Sequence, residues 1–383
     1  MGKYTLKLDK DRLAESKKRV SDYYNHKPVD RIPFTYYATD LPGADRLPSY
    51  SLREMNEDMS RKIEADIAGW NLQQEGFPDT DFIPSFNSAF LGEGLIPTFF
   101  GAKQVLAENN PPFTEGRVLQ DIDDLYKLPE RIDPEHDGWG PKLMQWCDMC
   151  LDATNGEVPI EVCDHQSPYG IATKIMQNEN LMMAMYDDPD AVHHFMDIVT
   201  TAIDDTIEAM EKRVGKEHFV KNDYTRVEGD HDGLVLWDDY VSVLNPKLHE
   251  EFCRPYITRL FEKHGYGHLH TCGPYFPKYV DAVLGCKPKS INCAIYRNMS
   301  RNKEDLMTLG RMAREQGVIL VDDPWYTDND VSIFDSKHEH RRPDEEMLTE
   351  LATGGSIYVT TFGSKEQGLQ ETEMWKRISA RVL

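Results

Sequence analysis

From about residue 140 onward, apolar positions recur at helical spacing over 141–153, 190–214, 246–264, 275–284, 303–316, 345–353 and 371–382. Between these stretches lie short apolar runs of strand character at 158–164, 233–237, 268–272, 289–293, 318–323 and 356–361. Upstream, 9–25 reads as a charged amphipathic helix, 30–37 as a first strand with Pro33 near its start, and 51–70 as a second helix. The segment 79–116 is rich in Pro, Gly, Phe and Asn and reads as loops with short extended pieces, either a lid or packing loops around buried aromatics. Strands alternating with helices, with no break in composition, predict a parallel sheet covered by helices.

The strand ends choose between an open sheet and a closed one. Glu161, Cys163 and Asp164, then Asp238 and Asp239, then His268, His270 and Cys272, then Asn292 and Cys293, then Asp322 and Asp323 all fall at or just past strand C-termini. In a closed barrel those ends converge on one mouth, whereas a nucleotide-binding open sheet needs a Gly-rich loop that no early strand here provides. The expected fold is therefore α/β, a (β/α)8 TIM barrel with an N-terminal helical extension, one domain over 1–383.

The segment Gly267-His268-Leu269-His270-Thr271-Cys272-Gly273-Pro274 carries the densest chemistry. On a strand, residues i and i+2 share a face, so His268, His270 and Cys272 project together just before a turn. Imidazole and thiolate suit Zn²⁺, and a catalytic zinc takes three protein ligands and keeps a position open. The alternative is that these are satisfied structural residues, since Cys is among the most buried types.

Composition changes the picture in two ways. Forty-three basic against 66 acidic residues give a net charge of −23, which repels nucleic acid and anionic membranes. There is no apolar run long enough for a membrane span, no signal peptide is visible at the N-terminus, and the seven cysteines are an odd, scattered set, which points to reduced thiols and a cytoplasmic protein. Cys147-x-x-Cys150 has metal-like spacing but no completing pair, and His338-Glu339-His340 sits in a charged loop; both read as structural or solvated.

Asp30-Arg31-Ile32-Pro33, then Trp237-Asp238-Asp239-Tyr240, Asn245-Pro246, Cys253-Arg254-Pro255-Tyr256 and His270-Thr271-Cys272-Gly273, in this order and spacing, resemble the uroporphyrinogen decarboxylase superfamily over nearly the whole chain. One branch decarboxylates a porphyrinogen bearing eight carboxylates and carries an Arg-rich first strand. Here that strand runs Phe34-Thr35-Tyr36-Tyr37-Ala38-Thr39-Asp40, with no arginine. The other branch comprises zinc-dependent methyltransferases that exchange methyl groups with corrinoid proteins, such as the methylcobamide:coenzyme M enzymes, and His-x-Cys-Gly resembles their first two zinc ligands. The resemblance thus implies a methyltransferase acting on a small-molecule methyl donor or acceptor, with zinc on His270 and Cys272 and a corrinoid carried by a partner protein. The alternatives are a uroporphyrinogen decarboxylase-type decarboxylase, or a non-catalytic barrel binding a corrinoid protein or small ligand.

The methyltransferases take a third ligand, a Cys, near the C-terminus, where this chain has Phe362, and no cysteine follows Cys293. Cys293, ending the next strand, is the substitute candidate, with His268, Glu161 and Asp322 as weaker ones. Zinc would activate a thiol or polarise an ether oxygen at such a site. Asp238 and Asp239 are the candidate catalytic residues, as carboxylates that orient the ligands or as a general acid; otherwise they cap the following turn. The aromatic residues Phe86, Phe90, Phe99, Phe100, Trp325 and Tyr326 either wall an apolar pocket or belong to the core.

Overall fold

Alternate residues of each strand face opposite ways, and here the two faces differ sharply in chemistry. The strands are β1 (Phe34–Ala38), β2 (Lys103–Val105), β3 (Phe113–Glu115), β4 (Ile160–Glu161), β5 (Phe219–Val220), β6 (Val235–Trp237), β7 (His268–His270), β8 (Ser290–Asn292), β9 (Ile319–Asp322) and β10 (Ile357–Gly363). The outward set, including Phe34, Leu236, Leu269, Ile291, Leu320, Ile357 and Val359, is apolar and buried under helices. Trp375 of the C-terminal helix stacks on Phe34, for example. The inward set carries Thr35, Trp237, His268, His270, Ser290, Asn292 and Tyr358, with register placing His268 beside Ser290 and Trp237 beside His270. A strand buried on both sides and polar on one is a strand built around a site.

A computed structural model of the chain describes residues 4–163, 166–221, 233–271, 279–292, 303–322 and 345–383, without the side chains of 122, 127, 303, 305, 322 and 360–362. Cys272, Cys293, Asp164, Asp323, Trp325, Tyr326, His338 and His340 lie outside the described residues, as do the side chains of Asp322 and Phe362.

Six parallel strands run β1-β10-β9-β8-β7-β6. Backbone bonds carry the ring round the remaining arc. Asp81 N–H donates to Phe34 O, Phe86 N–H to Pro159 O, Glu161 N–H to Phe86 O, Val162 N–H to Val220 O and Val235 N–H to Lys221 O. Gln166, past the end of β4, bridges directly to Trp237. The two-residue β5 is thus a short insert between β4 and β6, and the closed wall is a (β/α)8 TIM barrel. β2 and β3 form a separate antiparallel pair within 79–116.

The N-terminal helix, Lys10–Tyr24, is capped by Asp9 and lies against the N-terminal ends of the strands. The Tyr23 hydroxyl donates to Ile357 O and accepts from Ile357 N–H, and His26 Nε2 lies 3.0 Å from Gly317 O. The same end of the barrel is pinned by Asp81, fully buried, which accepts from Arg19, from Arg31 and from the Phe34 backbone. Arg31 of the Asp-Arg-Ile-Pro motif is thereby a structural anchor at the end away from the mouth.

Two expected helices are broken in ways their local chemistry explains. The 51–70 stretch divides at Asp58, which is extended (φ −140°) and caps the second piece, Met59–Gly76. The 246–264 stretch divides at Cys253 because Pro255 has no N–H to give to the preceding turn, leaving Pro246–Phe252 and Arg254–His264. Phe86 and Phe90 are core residues, edge-on to Trp146 at ring distances of 5.9 and 4.9 Å. Cys147 and Cys150 are buried in Gly140–Thr154, and burial pushes the Cys147 thiol up to about 12, which fits a structural role. No helix among the described residues is long and apolar enough to cross a membrane.

Candidate active site at the barrel mouth

His270 ends β7, buried to 2% exposure, with Nε2 3.9 Å from Asp239 Oδ1. Asp239 opens the short helical turn after β6 and is about a quarter exposed (27%), so it looks onto the mouth. Asp238, its sequence neighbour, faces the other way. Its backbone N–H donates to His270 O at 2.7 Å. Its carboxylate accepts from Ser167 Oγ at 2.9 Å and from His249 Nε2 at 2.7 Å, and all three side chains are buried. Asp238 caps no helix with its side chain. Adjacent carboxylates therefore occupy different environments, one partly exposed and one buried and hydrogen-bonded on both oxygens.

Deeper in the barrel, His268 Nδ1 meets Ser290 Oγ at 2.9 Å, and its ring lies 6.4 Å from that of His270. Glu161, buried at the end of β4, accepts from Ser85. Asn292 at the end of β8 bonds both to the N–H and to the carbonyl of Thr271, each at 2.8 Å. The structure brings His270, Asp238 and Asp239 together. Cys272 and Cys293 lie outside the described residues. Among the described residues no group of three or more His, Cys, Asp or Glu side chains surrounds a common point as a metal would require. What is described suits a metal's first ligand: a buried imidazole at a strand end with a carboxylate beside it.

His249, Ser167 and Asn292's contact were not legible from the chain. His249 sits within a helical stretch 11 residues after its partner, and only the fold brings it back. Asn292 was visible as a polar strand end, without its bond to Thr271.

The family model for uroporphyrinogen decarboxylase (URO-D) matches residues 15–215, more than half of the chain. The chain belongs to the uroporphyrinogen decarboxylase family. The matched segment runs from within the N-terminal helix, past β4, to the end of the helix Pro189–Val214, and residues 238–292 lie beyond it. No curated protein sequence matches. Among solved structures, a methyltransferase from Methanosarcina mazei superposes with a TM-score of 0.61 over 96% of this chain and 98% of that one, at 13% identity. At that identity the likeness speaks to fold, and both comparisons agree on the barrel.

Proposed function

We propose that this chain, one barrel unit over 1–383 acting in the cytoplasm, is a methyltransferase. It would move a methyl group between a small methylated substrate or thiol and a corrinoid carried by a partner protein. The observation that carries this reading over decarboxylation is the lining of the barrel. The described inward strand residues include Thr35, Glu161, Trp237, His268, His270, Ser290, Asn292 and Tyr358, and no Lys or Arg is among them. A substrate bearing many carboxylates needs cationic partners; this lining offers imidazoles, carboxylates and aromatic surface. A structural neighbour named as a methyltransferase is in keeping with the choice.

Zinc would be held by His270, Cys272 and Cys293, and would supply Lewis-acid activation of a thiol or ether at neutral pH. Methyl transfer to a corrinoid moves a methyl cation equivalent. The donor atom would keep the electron pair of the broken bond and take up a proton, and the methyl acceptor would supply the pair for the new bond. Asp239, about a quarter exposed and 3.9 Å from His270 Nε2, would hand over that proton. Asp238 acts at one remove by holding the His270 carbonyl.

The test is metal content of protein purified without chelator, for wild type beside His270→Ala and Cys272→Ala, followed by spectrophotometry of a corrinoid acceptor with methylated substrates. About one zinc per chain, lost in both variants and accompanied by corrinoid methylation, is the expected result. Well-folded wild type that takes up no metal even when zinc is supplied would overturn this reading and leave decarboxylation or ligand binding.

A further inference from the structure

We propose that Asn292 is a positioning residue for the His270–Cys272 ligand pair; the inference rests on the zinc-site reading above. The β7–β8 ladder pairs His268 with Ser290 and Leu269 with Ile291. One step further along, the partner of β7 is a side chain. Asn292 Oδ1 accepts from Thr271 N–H and its Nδ2 donates to Thr271 O, both at 2.8 Å and both buried. A carboxamide is the side-chain equivalent of a peptide unit, with one acceptor and a donor in fixed geometry, so it extends the ladder by a rung.

Thr271 is the single residue between the two ligands. Where Cys272 stands relative to His270 depends on the φ and ψ of Thr271. Two bonds from one rigid amide fix the plane of both peptides flanking it. On the opposite flank Asp238 N–H holds His270 O at 2.7 Å. His270 and Thr271 are therefore gripped from both neighbouring strands, and the grip on Thr271 needs a residue that gives and accepts at once. Aspartate has the same shape but only accepts, and it would set an oxygen against Thr271 O. Leucine has a similar volume and does neither.

The experiment compares wild type, Asn292→Asp and Asn292→Leu. Zinc affinity is measured by competition with a chromophoric chelator, and the Co²⁺-substituted proteins are compared by their d–d and thiolate charge-transfer absorption. Tyr23→Phe serves as a control destabilised at the far end of the barrel. The expected result is zinc binding at least about tenfold weaker in Asn292→Asp, in the range typical for loss of a residue that orients a ligand, with shifted Co²⁺ bands, and neither change in Tyr23→Phe. Wild-type affinity and spectrum in folded Asn292→Asp would overturn the inference while leaving the zinc site standing. A wild type that binds no metal overturns both. Should the variants not fold, hydrogen exchange of the metal-free wild type decides: the Thr271 amide is protected if the clamp precedes the metal, and exchange as fast as an open loop sinks the idea.

Discussion

His249 and Asp238 form a buried imidazole–carboxylate pair, Nε2 to Oδ2 at 2.7 Å, in which neither side chain reaches solvent. The carboxylate is an acceptor only, so Nε2 is the protonated nitrogen of this ring. Its second oxygen takes the Ser167 hydroxyl. The pair ties the helix Pro246–Phe252 to the end of β6, one peptide away from the mouth. Removing His249 strands a buried carboxylate, so His249→Ala should cost about 3 kcal/mol in urea unfolding, near the lower end for a broken buried pair. Ser167→Ala should cost about 1–2 kcal/mol, the loss of one hydrogen bond to a charged acceptor. Equal, negligible losses in both would mean the pair carries no such burden.

Gly267 immediately precedes His268, and a Cβ there would stand 2.2 Å from Leu234 O and 2.5 Å from Gly233 C. Both are backbone atoms of the segment leading into β6 and cannot rotate aside. Gly267→Ala must push β7 away from β6 and should destabilise by about 1–3 kcal/mol or more, as overpacking does. Because the push falls on the strand that carries His270, zinc affinity should drop as well. Near-normal stability with unchanged metal binding would contradict that geometry.

The hydrogen bond from Arg19 holds the Asp30 carboxyl below its ordinary value of 3.8. With the folded value below the unfolded one, the unfolded chain binds more protons in that window, and stability rises with pH. Asp30 thus contributes fully above about pH 4 and loses its contribution as pH falls through the folded value. The side chain is two-thirds exposed (66%), so solvent screens the effect. In denaturation curves from pH 7 to 2, Asp30→Asn should be less stable than wild type at neutral pH and converge with it in acid. A gap that widens in acid would reverse the sign.

Cysteine chemistry offers a direct check on burial. Among the described residues Cys147, Cys150, Cys163, Cys253 and Cys286 are free thiols, all buried. Burial raises Cys147, Cys150, Cys253 and Cys286 above the ordinary thiol value, leaving almost no thiolate near neutrality. Iodoacetamide at pH 8, read by peptide mass spectrometry, should leave these five unlabelled in native protein. Under the proposed zinc site, any labelling of Cys272 and Cys293 should be suppressed by zinc. Rapid modification of Cys147 or Cys150 would show that the helix they share opens readily.

Tyr23→Phe removes a hydroxyl that both gives to and takes from the backbone of Ile357. Two buried peptide groups lose their partner, so the change should cost about 2–3 kcal/mol by chemical denaturation. It should leave the mouth untouched.

How far the chain could be read differs by element, for physical reasons. The strands with a strict inside–outside contrast, such as His268-Leu269-His270, were plain in the sequence, and so was the clustering of polar residues at their ends. β5 was not, because two residues of an ordinary apolar pair carry no period at all. The C-terminal helix starts at Lys365, ahead of the expected 371, with Ser364 and Gln367 forming a capping box whose Ser-x-x-Gln signature stands in the sequence. At the mouth, the candidate side chains stood out in the sequence and their hydrogen-bonding supports did not. Asp238 and Asp239 look alike in the chain; only Ser167 and His249, brought in by tertiary packing, distinguish them.

The helix Lys10–Tyr24, laid against the strand starts, has a kinetic corollary. A TIM barrel is filled below its mouth, and here Tyr23, Arg19 and Asp81 secure the far end as well. Among the described residues, that leaves the C-terminal side of the strands as the approach to His270. If the proposed transfer brings both reactants from that side, a large one seated on the rim would shut in the small one, and binding would be ordered with the small reactant first.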